Sequence, residues 1–482
     1  MSGKTEVGNV KRRRSPAADL VAIASAVSAS TLWASPAFAH ASDRGHVLLL
    51  PTGHYLVGGA LAVAASFVVL ALLPPRTLGR ITTFRLDLGP APDRLRLATS
   101  LAGFVLFVVL VAAGLFGSRD PLSNPLPLVV WTLLWVGMTL VQGLLGDVWR
   151  WIDPWYGPWR LALMAGRGRL GRRRFSEAVG YWPALALFLA FAWFELIYPA
   201  PDDPARLAVV AGSYWLVSFL LMLIFGHADW SRRGEFLSVF FGMIAKFGIF
   251  GRRHGRLQLR LAGAGLADEP ALQLSGVLFI LAALGSVSFD GLSKTFFWLG
   301  ANGINPLEYP GRTALMTVNG FGLVMTIVVL AAAYFGAIVL GHRLAGSASS
   351  CRTAAGLLVW SIVPIALAYH FSHYLTALLV NSQYALVAIS DPFARGWNLF
   401  GTAYLPVSAG IAAGSDAAWM LWNAQATVII GGHVLAVLVA HGLAFRLEGD
   451  ARRAALGQLP LTALMILYTV FGLWLLSTPA AG

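Results

Sequence analysis

AAGLLVWSIVPIALAYHFSHYLTALLVN, from Ala354 to Asn381, is an apolar run that carries two histidines, His370 and His373. A bilayer crossing needs about 20 mostly apolar residues, so the run reads as a transmembrane helix. Residues three apart share a helix face, and ionisable side chains within a membrane are rare and usually functional. A third histidine, His433, lies in the next apolar run, IIGGHVLAVLVAHGLAF.

Composition extends this reading to the whole chain. Of 482 residues 57% are hydrophobic and only 12% charged, and the mean hydropathy is +0.70. A soluble protein would have to expose much of that apolar surface. The expected fold is all-α, a polytopic transmembrane helical bundle with the lipid bilayer as its main partner. The formal net charge of +13 comes from arginines between apolar runs. That fits the positive-inside rule better than a nucleic-acid partner. A single cysteine, Cys351, excludes an intrachain disulfide, an iron–sulfur cluster and a thiolate zinc site.

The N-terminus has a basic patch (Lys11, Arg12, Arg13, Arg14), an apolar run from Leu20, and small residues at Ala37 and Ala39. This pattern predicts a signal peptide over 1–39 and a mature, single transmembrane domain over 40–482. About ten spans follow, centred on 55–74, 97–117, 128–147, 181–198, 207–227, 271–288, 314–341, 354–381, 425–447 and 459–478. Arginine-rich connections at 75–96, 148–180 and 228–270 alternate with arginine-poor ones. Basic loops belong in the cytoplasm, which predicts a multi-pass inner-membrane protein with both mature termini in the periplasm. FLSVFFGMIAKFGIFG (236–251) reads as interfacial, GDVWRWIDPWYGPWR (146–160) as an interfacial anchor, and 382–424 as a lid or half-buried outer loop.

Counting along each span at 1.5 Å per residue places His370, His373 and His433 at a common depth in the outer half. Glu195 and Asp290 fall at outer helix ends on the same side, and His40 would be the first mature residue. Three imidazoles with a carboxylate and an open position suit a divalent metal, zinc or another transition metal. His370, His373, His433 and His40 are therefore the expected ligands. Asp290 and Glu195 are the expected catalytic carboxylates, orienting a metal-bound water or completing the coordination. Helix-to-helix hydrogen bonding is the competing use for such histidines. The chain contains no phosphate-binding glycine loop, no HExxH and no GxSxG.

Several stretches in order carry a resemblance: GDVWRWIDPW (146–155), SFDGLSKTFFW (288–298), HFSHY (370–374), GGHVLAVLVAHGLAFRL (431–447) and YTVFGLWLLSTP (468–479). Together with a signal ending just before His-Ala, they resemble the bacterial membrane family of fenitrothion hydrolases over nearly the whole mature chain. The resemblance implies hydrolysis of a small lipophilic organophosphorus triester at its P–O–aryl bond. It assigns no catalytic residue. The alternative reading of the same histidines is a periplasm-facing metal or small-solute transporter, or a metal-binding envelope protein.

Overall fold

The computed structural model describes residues 52–72, 84–166, 171, 173–308, 310–408, 410 and 414–478. The expected signal peptide and His40 lie outside them. The chain is an all-α bundle with one small sheet. Its main helices are α1 (Thr52–Leu72), α2 (Arg96–Phe116), α3 (Pro125–Leu145), α4 (Tyr156–Ala165), α5 (Trp182–Leu196), α6 (Pro204–Phe225), α7 (Phe236–Ile244), α8 (Leu274–Ser293), α9 (Arg312–Ala345), α10 (Cys351–Ser390), α11 (Ser415–Glu448) and α12 (Ala451–Ser477). Among the described residues nine helices are long and apolar enough to cross a membrane, so this is a multi-pass membrane protein. The expected tenth, α5, has only 15 residues and falls short of a full span.

Local sequence sets the helix ends. Asn124, Asp203, Ser350 and Asp450 accept backbone N–H bonds at the starts of α3, α6, α10 and α12, and Pro125 and Pro204 occupy first-turn positions that lack a helical N–H partner. α11 stops at Gly449, whose φ of +68° suits the left-handed cap. Every residue from Ala354 to His370 is buried, which makes α10 the central pillar. A single tight turn at Val359–Ser361 precedes Pro364, whose ring and missing N–H disfavour regular helix there.

Apolar side chains outside the core face outward, among them Val105 and Leu106 on α2, Leu216 on α6 and Phe321 and Val324 on α9. Lipid is as apolar as leucine, so close packing rather than the hydrophobic effect holds such helices together. α9 and α12 meet at Gly341, where a Cβ would collide with the Gly457 carbonyl. α12 meets α10 at Gly472, where a Cβ would collide with the Tyr369 hydroxyl.

Three readings are corrected. The segment 236–251 is not interfacial: Phe236, Leu237, Val239, Phe240, Phe241, Met243 and Ile244 are all buried. α7 is apolar on every side, and a helix without a polar face belongs inside protein. Its N-terminus is capped by the buried Glu235, which accepts from the backbone of Leu237 and Ser238 and from the Tyr214 hydroxyl. Part of 146–160 also faces inward instead of toward lipid. Trp149 and Trp155 are buried, and their indoles donate to Ser238 Oγ and the Trp215 carbonyl. The loop expected over 382–424 is shorter than that, because α10 runs on to Ser390 and α11 begins at Ser415.

The sheet is an addition that loop charge counting passed over. β1 (Arg85–Pro90), β2 (Phe250–Arg253) and β3 (Arg256–Arg260) form an antiparallel sheet in the order β1-β3-β2. It belongs to the arginine-rich end of the bundle. Arg260 reaches from it to the carbonyls of Ala245, Lys246 and Gly248 just past α7, placing a cation where unpaired helix carbonyls collect.

Candidate active site

At the other end, three helices bring polar side chains together. Asp290 stands in the last turn of α8, Glu195 in the last turn of α5, and His373 and Tyr374 on α10. His373 donates from Nε2 to Asp290 Oδ2 at 2.7 Å, which leaves its Nδ1 unprotonated when the ring is neutral. The Tyr374 hydroxyl is 2.9 Å from the same Asp290 oxygen and 3.2 Å from Glu195 Oε1. One hydroxyl hydrogen cannot serve two carboxylates. Both bonds exist together when one carboxyl holds a proton of its own and gives it to the Tyr374 oxygen.

The surroundings distinguish the two acids. Asp290 has the His373 N–H and, 4.0 Å away, the Lys294 ammonium. Arg312, at the start of α9, donates to the Glu195 and Tyr198 backbone carbonyls instead of the Glu195 carboxylate. Asp290 is thus the better supported anion, and Glu195 the natural holder of the extra proton.

Asp290, Glu195 and Tyr374 line a cavity of ≈160 Å³ together with Asp202, Lys294 and Arg312, against an apolar wall that includes Trp131, Val136 and Leu378. Trp131 and Val136 come from Leu128–Met138, a π-helical stretch inside α3. Such wide turns are frequent at functional sites. Inward of the cavity, Trp135 packs on Phe191 and Phe240, with ring centroids 4.7 and 5.0 Å away, and Phe188 and Phe236 extend this aromatic layer.

The structure joins Asp290, Glu195 and His373 and leaves His433 elsewhere, while His370 packs edge-on against Tyr374 with ring centroids 4.9 Å apart but spends its polar contact on backbone. His370 donates from Nε2 to the Trp135 carbonyl at 3.0 Å. His433 donates from Nδ1 to the Ile429 carbonyl, one turn back on its own helix, at 2.8 Å. The common depth also fails. Ser372 and Gln425 exchange hydrogen bonds and set the register of α10 against α11. His433 then lies eight residues, or ~12 Å, beyond that level and His370 only ~3 Å. Counting from assumed span ends missed this because α10 projects further than α11 past the pair. Among the described residues no three or more His, Cys, Asp or Glu side chains are grouped to hold a metal ion. The described residues therefore do not group the three histidines expected to hold zinc or another transition metal, and His40 lies outside them.

Sequence reasoning missed Tyr374, Lys294, Arg312 and Asp202. Two signals were present: Tyr374 follows His373 directly in HFSHY, and Lys294 stands four residues after Asp290 on one helix face. Compared with known protein families, curated proteins and solved structures, the chain matches none.

Proposed function

We propose that the protein is an inner-membrane hydrolase of small lipophilic organophosphorus triesters, its cavity facing the periplasm and its arginine-rich end in the cytoplasm. The observation that carries this reading is the Asp290–Tyr374–Glu195 bridge, which sets an anionic and a proton-bearing carboxyl on one cavity. Two carboxyls held in opposite protonation states are the usual equipment for base and acid in one reaction. The resemblance in the ordered motifs supplies the substrate class.

In this mechanism Asp290 is the base and Glu195 the acid. The oxygen of a water molecule attacks phosphorus, and its proton passes to the Asp290 carboxylate. As the P–O–aryl bond breaks, the Glu195 proton goes to the departing aryl oxygen, giving a phosphodiester and a phenol. The proton on Asp290 then returns to Glu195 through the Tyr374 hydroxyl, which gives one proton and takes another. His373 is a positioning residue, since its N–H fixes the Asp290 carboxylate. Lys294 and Arg312 offer positive charge to the phosphoryl oxygen, and the Trp131 wall offers an apolar surface to the aryl group.

Purified protein in lipid vesicles, given a nitrophenyl phosphotriester, tests the proposal. Hydrolysis that is lost in Asp290→Asn and Glu195→Gln supports it. A folded wild-type protein with no activity over protein-free vesicles rejects it.

A further inference from the structure

A second set of buried polar groups runs inward from the site along the seam between α11 and α12. His433 is fully buried, and its Nε2 has no hydrogen-bond partner among the described residues. Its ring is 6.4 Å from those of Tyr369 and Tyr468, and the Tyr468 hydroxyl is hydrogen-bonded to that of Ser288. Between this group and the site lies a cavity of ≈30 Å³, lined by Tyr369, Ser372 and His373 among others. Its volume suffices for a water molecule.

Further inward, Thr462 is buried and its hydroxyl also has no partner among the described residues. His441 donates from Nδ1 to Gln458 Oε1 at 2.9 Å, and Gln458 donates to the Val437 carbonyl. By helical rise His441 is ~12 Å beyond His433, and Thr462 is ~9 Å from Tyr468 and ~6 Å from Gln458. Near the arginine-rich end, Arg446 of the same α11 is hydrogen-bonded to the Ala267 and Glu269 carbonyls. The His441–Gln458 pair also ties α11 to α12, but packing does not call for buried polar atoms left unpaired, which are costly. Two such atoms on facing helices, in line with two histidines, form a graded series from the cavity to the basic end.

We propose that the α11–α12 seam conducts protons between the cavity and the basic end, with His433 and His441 as stations and Thr462 between them. Internal water spans the steps too long for direct hydrogen bonds. His433 accepts a proton at Nε2 while its Nδ1–H stays on the Ile429 carbonyl, and then releases the proton from Nε2. His441 repeats the exchange at its own Nε2, with Nδ1–H held by Gln458. Each cycle moves one proton and leaves every side chain unchanged. This function stands independently of hydrolysis at the outer site.

The test uses the full chain in vesicles enclosing a pH-sensitive dye, with a potassium diffusion potential as driving force. Wild-type protein is expected to change the internal pH faster than protein-free vesicles, and His433→Phe and Thr462→Val to reduce the rate to the protein-free level. Thr462→Val preserves side-chain shape, so it decides the matter alone if His433→Phe does not fold. A wild-type rate equal to that of protein-free vesicles, or a folded Thr462→Val as fast as wild type, overturns the proposal. Either result would assign the two unpaired groups to isolated buried waters.

Discussion

Asp290 and His373 are tied across two helices by a 2.7 Å hydrogen bond, and this contact gives the cavity end of the bundle a defined chemical polarity. It occupies one oxygen of Asp290 with an N–H donor, and Tyr374 adds a second donor to that oxygen at 2.9 Å. A carboxylate so held is kept anionic and oriented, while Glu195 across the tyrosine has no side-chain cation bonded to it among the described residues.

Replacing Asp290 by Asn keeps the volume and removes the charge. Turnover of a nitrophenyl phosphotriester is expected to fall by roughly 10²–10⁴-fold, the usual worth of a positioned acid–base group. Thermal unfolding in detergent should change little, because the amide oxygen still accepts from His373. Steady-state kinetics beside a melting curve separates the two effects.

Glu195→Gln should have an effect that depends on the leaving group. An acid matters most when the departing oxygen is strongly basic, so the loss should be larger for an unsubstituted phenyl ester than for a nitrophenyl ester. Turnover across a series of aryl leaving groups reads this out. An equal loss for all esters would remove Glu195 from the role of acid.

His370→Phe should act on stability rather than chemistry or metal content. His370 spends its N–H on the Trp135 carbonyl, and losing a buried hydrogen bond costs about 1–3 kcal/mol. Elemental analysis of purified His370→Phe and His433→Phe should match wild type, since these residues do not form one ligand set. Metal lost in step with both substitutions would restore the tri-histidine centre.

At the arginine-rich end, Asp153 is buried between Arg96 at 3.3 Å and His227 at 3.4 Å, and also accepts from the backbone of Trp155 and Tyr156. Burial pushes its carboxyl up, but the His227 contact, the backbone donors and Arg96 outweigh burial and hold it below the usual carboxylate range. Its stabilisation is therefore present above the unfolded value, about 3.9, and is lost as pH falls through the depressed folded one. Asp153→Asn should cost about 3–5 kcal/mol near neutrality by stranding Arg96. It should also flatten the loss of stability in acid, as melting temperature against pH would show.

Much of the fold is legible in the chain because lipid imposes simple rules. Long apolar runs predicted each helix that is long enough to span, and Asn124, Asp203, Ser350 and Asp450 mark starts that local chemistry fixes. The sheet was also readable, since RLDLG and RLQLR alternate polar and apolar residues with period two, but counting charge in those loops hid the alternation. The buried course of α7 depends on neighbours distant in sequence. The site was half legible. Asp290, Glu195 and His373 stood out as polar groups at one end, yet the register that separates His433 from them is set by the Ser372–Gln425 pair. No run of hydropathy reports such a contact.

The central claim, that Asp290 acts as base in phosphotriester hydrolysis, is tested most directly by the pH dependence of turnover in lipid vesicles. Wild type and Asp290→Asn are compared over the range where both remain folded. Wild-type activity should depend on an ionised carboxylate and fall in acid, and the variant should lose both the activity and that acid limb. A folded Asp290→Asn protein with wild-type turnover and an unchanged profile would contradict the account.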